Sequence, residues 1–264
     1  MSKIALQTYT IRNHIKTEED LRASLKKVVE IGYPCLQFTK PAYMTIERQA
    51  ALAREFGVTI DSVYRPLEDM EKDFDSVCRD AEIIGTPVVR TSEIPEALRI
   101  SAEGYHRFAE TLNTWGRKLK SRGLTLINHF HAFEFVTFGE KERGTDIIID
   151  NTDPDSVFFM PDVFWLTAAG VEASRYLKRF QGRAPYLHVK DYAIRQLKGK
   201  IENIPSFFAP VGTGNIDWPA VMASAREVGV TEFVVEQDEC VGDVFESIAV
   251  SYRNLNGILK KYYR

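Results

Sequence analysis

The run Val28-Val29-Glu30-Ile31-Gly32-Tyr33-Pro34-Cys35-Leu36-Gln37-Phe38 closes a helix, turns on a glycine and enters a short apolar strand. Its helix opens at Thr17-Glu18-Glu19-Asp20, a near match to a capping box, and carries Leu21, Leu25, Val28 and Val29 on one face. Glycine at position 32 suits the left-handed backbone that ends many helices. The same order of helix, glycine and strand returns at Gly57 into 58–63, Gly85 into 88–90 and Gly123 into 124–128. It returns again at Gly182 into 186–189 and Gly229 into 233–236. Residues 4–9 form the first strand and 157–160, just before Pro161, the sixth. The last helix shows Phe245, Ile248, Tyr252, Leu255, Leu259 and Tyr262 at alternating spacings of three and four.

Eight strands, each followed by a helical segment, predict a parallel sheet with right-handed crossovers. Eight such units close into a (β/α)8 TIM barrel, and a chain of 264 residues matches the usual size of that barrel as one domain, residues 1–264. The rival, an open doubly wound sheet, is disfavoured because no G-x-G-x-x-G turn follows the first strand. No linker or low-complexity segment interrupts the chain. The longest irregular stretch, about 192–214, has the length of a functional loop.

Composition narrows the function. Hydrophobic residues at 44% and charged residues at 27% exclude disorder and collagen-like repeats. A formal charge of −3 lacks the basic excess of a nucleic-acid binder. No apolar stretch approaches the roughly 20 residues of a membrane helix. The start Met1-Ser2-Lys3-Ile4 has no signal-peptide core, so a cytoplasmic location is expected. Cys35, Cys78 and Cys240 are far apart and read as free thiols.

In such a barrel, chemistry sits at the C-terminal ends of the strands. Those ends supply Gln7 and Tyr9, Gln37 and Lys40, Tyr64 and Arg65, then Arg90. The fifth strand ends in Asn128-His129-Phe130-His131-Ala132-Phe133-Glu134-Phe135, the sixth at Asp162, the seventh at His188-Val189-Lys190-Asp191 and the eighth at Glu236-Gln237-Asp238-Glu239. Each residue also has a plainer reading. Asp162 suits a helix N-cap, Asp238 and Glu239 suit loop charges, and a lone strand-end histidine suits a hydrogen-bonded core. Carboxylates and histidines at four consecutive strand ends point instead to one divalent ion, Mn, Co, Zn or Mg. The absence of cysteine among them argues against a zinc–thiolate site.

These segments resemble the sugar phosphate isomerase/epimerase family, a branch of the xylose-isomerase-like TIM barrels within the AP endonuclease family 2 superfamily. Ile4-Ala5-Leu6-Gln7-Thr8-Tyr9-Thr10-Ile11-Arg12 is similar to its opening strand, and His129 to Phe135 to its H-N-H-D-F-E-F segment. Gly182-Arg183 through Leu187-His188-Val189-Lys190-Asp191-Tyr192 is similar to its G-R … H-x-K-D-Y stretch. Pro210-Val211-Gly212-Thr213-Gly214-Asn215-Ile216-Asp217-Trp218 and Val234-Val235-Glu236-Gln237-Asp238 resemble two further signatures. The resemblance implies one metal held by Glu134, Asp162, His188 and Glu236. Strand alternation gives His129 and His131 one shared face, so either offers an alternative to Glu134. Phe130, Ala132, Tyr64 and Thr213 depart from the family pattern and make the pocket less polar.

The implied reaction is isomerisation or epimerisation of a keto- or aldo-sugar by proton transfer through a metal-stabilised enediolate. Glu134 and Glu236 would serve as the acid–base pair, partly as ligands, and Lys190 would stabilise the oxyanion. His129, His131, Arg65, Arg90 and Trp165 would contact the substrate, the arginines through an anionic group. Two other activities use the same site: elimination from a keto-sugar, 3-keto-glycoside or inosose by a lyase or dehydratase, and sugar binding without turnover. A DNA-repair role fits poorly, because only five histidines are present and His106 falls in a helix away from the strand ends. The expected partner is a small sugar, with neither nucleic acid nor membrane, and a homo-oligomer is compatible.

Overall fold

The computed structural model describes residues 3–39, 41–139, 142–194, 196–197, 200–201 and 207–263. Eight barrel strands run in chain order: β1 Lys3–Gln7, β2 Cys35–Gln37, β3 in two pieces (Thr59–Ile60 and Val63–Tyr64), β4 Val88–Thr91, β5 Thr125–His129, β6 Val157–Met160, β7 Tyr186–Val189 and β8 Glu232–Val235. Neighbours pair in parallel around the ring, from Ala5 on Cys35 to Tyr186 on Glu232 and back to β1 through Lys3 on Glu232. Two joins are looser. At Asp61 and Ser62, β3 bends. Between β6 and β7 the contact is an isolated bridge, Asp162 to His188, supported by the His188 N–H donating to the Pro161 carbonyl at 3.0 Å. This is the (β/α)8 barrel that the glycine-punctuated repeat predicts.

Local chemistry sets the boundaries. Helix α1, Glu18–Ile31, opens with a reciprocal cap: the Thr17 hydroxyl accepts from the Asp20 N–H, and the Asp20 carboxylate accepts from the Thr17 N–H. It closes at Gly32, whose φ of 114° no L side chain adopts comfortably, with the Tyr252 ring against its Cα. The other five glycines of the repeat also take positive φ. Arg183, of the expected G-R pair, is buried and donates to the Ile149 and Val157 carbonyls and to the Thr152 hydroxyl, so its role is structural. Among the described residues, no helix is long and apolar enough to cross a membrane. Cys35 and Cys78 are buried thiols, as expected.

Inside the ring, Ala5, Cys35, Val88, Ile127, Met160, Tyr186 and Val234 make an apolar floor. Side chains alternate along a strand, so the residue two positions later again faces inward, one layer higher. Those residues are Gln7, Gln37, Arg90, His129, Asp162, His188 and Glu236. A larger apolar layer fills the space between barrel and helices; Phe130 packs there against Phe159 and Phe180. Phe130 is therefore core, and Asn128 lies on the same outward side.

Part of the stretch at 192–214 lies within the described residues. Asp191–Ala193 pairs antiparallel with Phe207–Ala209; much of the remainder, like Lys40, lies outside the described residues. Asp191 anchors the returning chain. Its buried carboxylate accepts from the N–H groups of Tyr192, Gly212 and Gly214 and from the Trp218 indole, at 2.7 to 3.1 Å. The Gly214 Cα lies so close that a Cβ would stand 2.4 Å from the same carboxylate. Replacing Asp191 with Asn turns one acceptor into a donor facing donors. The expected cost is roughly 3 kcal/mol, measured as a lower urea midpoint with an unchanged slope.

Candidate functional site

A cleft of about 480 Å³ opens at the C-terminal mouth of the barrel, with Gln7, Arg90, His129, His188, Lys190 and Glu236 in its lower wall. At its floor His129, Asp162 and His188 are buried, and one donor atom from each lies within 4.8 Å of the others. His129 Nε2 and His188 Nδ1 each stand 3.5 Å from Asp162 Oδ2, and His188 Nδ1 stands 2.9 Å from Glu236 Oε2. The contacts are close but lie off hydrogen-bond geometry, so His129 Nε2, His188 Nδ1 and Asp162 Oδ2 are buried without a partner. These three atoms converge on one point without a hydrogen bond among them, and only Asp162 Oδ2 has a cation beside it, the Lys190 ammonium, an arrangement that a second cation would satisfy.

Asp162 combines two roles that the sequence offers as alternatives. Its Oδ1 accepts from the Phe164 and Trp165 N–H groups and caps the helix Val163–Ala168, while Oδ2 faces the cluster. His188 Nε2 lies 2.7 Å from Gln37 Oε1 on the opposite side of its ring. Lys190 is 1% exposed, with Nζ 3.2 Å from Asp162, 2.9 Å from Glu236 and 3.1 Å from Asp238. Three carboxylates against one ammonium leave an excess of negative charge, which a cation would offset. Donor types, orphaned atoms and charge thus fit a metal held by His129, Asp162, His188 and Glu236.

The electrostatics follow from burial. Desolvation would neutralise Lys190, but Asp162, Glu236 and Asp238 together hold its ammonium above the ordinary value. Burial would raise Glu236 and Asp162 too, yet Lys190, with the histidines, holds both well below the carboxylate range. Asp238, pressed by burial and by Glu236, is pushed up to about 6. Burial and the neighbouring His188 hold His129 well below the ordinary imidazole value, whereas Glu236 and Asp162 hold His188 above it against burial. Burial, then Lys190, lowers His131.

Two expectations are corrected. Glu134 does not reach the cluster. After β5 the chain turns into the short helix Ala132–Phe135, where the fully buried Glu134 accepts from the Ile94 N–H at 3.1 Å and the His131 N–H at 2.7 Å. Both oxygens are spent on backbone donors, and His129 occupies the corner expected for it. Arg65 does not line the cleft: its neighbour Tyr64 does, and Arg65 instead pairs with Asp80 and donates to the Tyr64 carbonyl.

Arg90, His131 and Trp165 line the cleft. Arg90 is buried with one amino group unpartnered, and His131 Nδ1 and Trp165 Nε1 are also buried without partners. Lys190 lies at the expected place, but its contacts to three carboxylates make it a counter-charge there. The sequence places Gln37 and Asp238 at strand ends without assigning either a role in the site. The signal for Asp238 is its spacing, two residues beyond Glu236.

A family model described as xylose isomerase-like TIM barrel matches residues 25–245. An inosose dehydratase of Clostridium perfringens is 23% identical over 206 residues, 69% of this chain and 68% of that protein. A sugar phosphate isomerase/epimerase from Parabacteroides distasonis superposes with a TM-score of 0.75 at 22% identity, covering 96% of this chain and 93% of that one. The IOLI protein solved with a zinc atom superposes with a TM-score of 0.74 at 16% identity, covering 98% and 99%. The dehydratase and the isomerase/epimerase are enzymes.

Burial pushes the Glu134 carboxyl up to about 8, against the pull of its backbone donors. The folded state then keeps a proton that the unfolded chain loses near pH 4.5, so this contribution is complete below that pH and fades as pH rises toward 8. Glu134→Gln cannot titrate. The stability of the native chain relative to this variant should fall between pH 5 and 8, by a few kcal/mol on the order of the shift. Urea midpoints across that range measure it; a constant difference contradicts the assignment.

Proposed function

Because the chain belongs to the xylose isomerase-like TIM barrel family, we propose that it is a metal-dependent enzyme of keto-sugars that removes a proton beside the carbonyl and then expels the β-substituent, a lyase or dehydratase. The observation that carries this reading is the asymmetry of the cleft. The ends of β7 and β8 bring the charged group Lys190, Glu236 and Asp238. The chain beyond β5 brings the imidazole of His131, because Glu134 is turned to the backbone. Shuttling a proton between carbons suits a matched pair of carboxylates. Elimination needs one base at carbon and one acid at the departing oxygen. The inosose dehydratases among the relatives support the second pattern.

His129, Asp162, His188 and Glu236 would hold the ion, which when bound supplies a Lewis acid toward the substrate carbonyl. The two-imidazole, two-carboxylate set suits Zn, Mn or Co. Burial keeps His131 neutral, so its imidazole is free to accept the proton from carbon. The electrons of that C–H bond form the new double bond, and the β carbon–oxygen bond breaks with its pair on oxygen. Asp238, with its raised pKa of about 6, carries the proton that this oxygen takes. Lys190 keeps Glu236 and Asp162 ionised beneath the substrate. Arg90 donates its free N–H to a substrate oxygen, while Tyr64 and Trp165 form the walls.

Protein purified without added metal should hold about one equivalent of a divalent transition ion by mass spectrometry. Asp162→Asn, His188→Ala and His129→Ala should lose it, and Glu134→Gln should keep it. Metal lost from Glu134→Gln, with the fold intact, would return that residue to the ligand set.

Turnover of 3-keto-glucosides or inososes should produce the ultraviolet absorbance of an α,β-unsaturated ketone. His131→Ala should lower kcat by about 10²–10⁴-fold with metal content unchanged. Exchange of the α-proton with solvent deuterium and a rearranged sugar, without that absorbance, would assign isomerisation or epimerisation instead. No turnover of any keto-sugar by the metal-loaded protein would leave sugar binding.

A further inference from the structure

Beneath the cleft lies a closed chain of buried polar groups that the proposed reaction does not use. Gln7, Gln37 and Asp61 are at most 3% exposed. Gln37 Nε2 donates to Asp61 Oδ2 at 3.0 Å and faces the Met160 sulfur at 3.4 Å. Both neighbours only accept, so the nitrogen end of the amide belongs there and the carbonyl end points the other way. On that other side Gln37 Oε1 meets Gln7 Nε2 at 2.8 Å and His188 Nε2 at 2.7 Å. Gln7 is fixed independently, since its own carbonyl accepts from the Tyr9 N–H and the Thr39 hydroxyl. Asp61 is held by the Ser62 hydroxyl at 2.7 Å.

We infer that Gln37, locked by Asp61, is a positioning residue that dictates which nitrogen of His188 can bind a metal. An amide carbonyl 2.7 Å from Nε2 requires the proton on Nε2. That leaves Nδ1, the nitrogen facing Asp162 and Glu236, as the lone-pair donor. Without Gln37, an imidazole 2.9 Å from a carboxylate would place its proton on Nδ1, toward Glu236, where the cation belongs. Hydrogen bonds of this kind behind a ligating histidine fix ring orientation and raise ligand basicity. The inference rests on the metal reading proposed above, and its test separates the two.

The first measurement needs no variant. Nitrogen-15 histidine spectra of the metal-free 264-residue chain, taken at a pH where the His188 ring is neutral, should show a protonated Nε2 on His188, and added zinc should shift Nδ1. A proton-free Nε2, or zinc acting on Nε2, overturns the inference. Zinc affinity should then fall about 10–100-fold in Gln37→Met, with the circular dichroism spectrum retained. Gln37→Glu keeps an acceptor opposite Nε2 and should recover much of the loss. Gln7→Met removes a neighbour but not the acceptor, and should leave both tautomer and affinity unchanged. Equal zinc affinity in wild type and Gln37→Met overturns the inference. If Gln37→Met does not fold, the wild-type spectrum decides. Failure of wild type to bind zinc, manganese or cobalt would defeat the metal reading, while the metal-free spectrum would still settle the tautomer.

Discussion

A side chain that points inward in a closed eight-stranded barrel cannot turn away into solvent. Its neighbours across the ring fill every direction except up, toward the mouth. Strand alternation therefore stacks the interior in layers. Ala5, Cys35, Val88, Ile127, Met160, Tyr186 and Val234 exclude water at the floor. Gln7, Gln37, Arg90, His129, Asp162, His188 and Glu236 are forced together two residues later. The position of the candidate site is thus a consequence of register, and its polarity a consequence of which residues stand two beyond the floor.

Placing charge on an apolar floor imposes a second constraint. Buried carboxylates survive only if something neutralises them. Lys190 does part of this for Asp162, Glu236 and Asp238. The excess negative charge and the three unpartnered donor atoms create the demand for a cation. Burial works against the Lys190 ammonium, which the three carboxylates hold charged, while the same burial lowers His131 and lifts Asp238. Three titratable groups within one cleft thereby acquire different proton affinities, and that difference is what acid–base chemistry at one pH requires.

Much of this was legible in the sequence. The helix, glycine and strand repeat gave the barrel, because glycine ends helices for a local reason that tertiary contacts do not alter. The strand-end rule gave Asp162, His188, Lys190 and Glu236. The rest failed for identifiable causes. Glu134 is set by a motif resemblance, but its direction depends on the chain leaving β5 at His129 and coiling into Ala132–Phe135, where the His131 and Ile94 N–H groups need an acceptor. Arg65 follows Tyr64 directly, and two consecutive strand residues cannot both face the cleft, so alternation alone argued against it. Asp238 shares the face of Glu236 by the same rule, and its plausible reading as a loop charge hid it. Asp162 seemed to demand a choice between cap and ligand, but a carboxylate has two oxygens and uses one for each.

The contact between Gln37 and His188 was not legible, because it joins β2 to β7 across the ring and depends on strand stagger. Its meaning comes from directionality. A carboxylate accepts only, an amide has one accepting and one donating end, and an imidazole has two nitrogens that share one proton when neutral. Once Asp61 fixes the amide of Gln37, the neutral ring of His188 has one tautomer open to it, with its lone pair toward the cleft. A floor of hydrogen-bonded amides thus does what apolar packing cannot. It transmits a donor–acceptor sense from a buried carboxylate on one side of the barrel to the imidazole nitrogen that faces the cleft on the other.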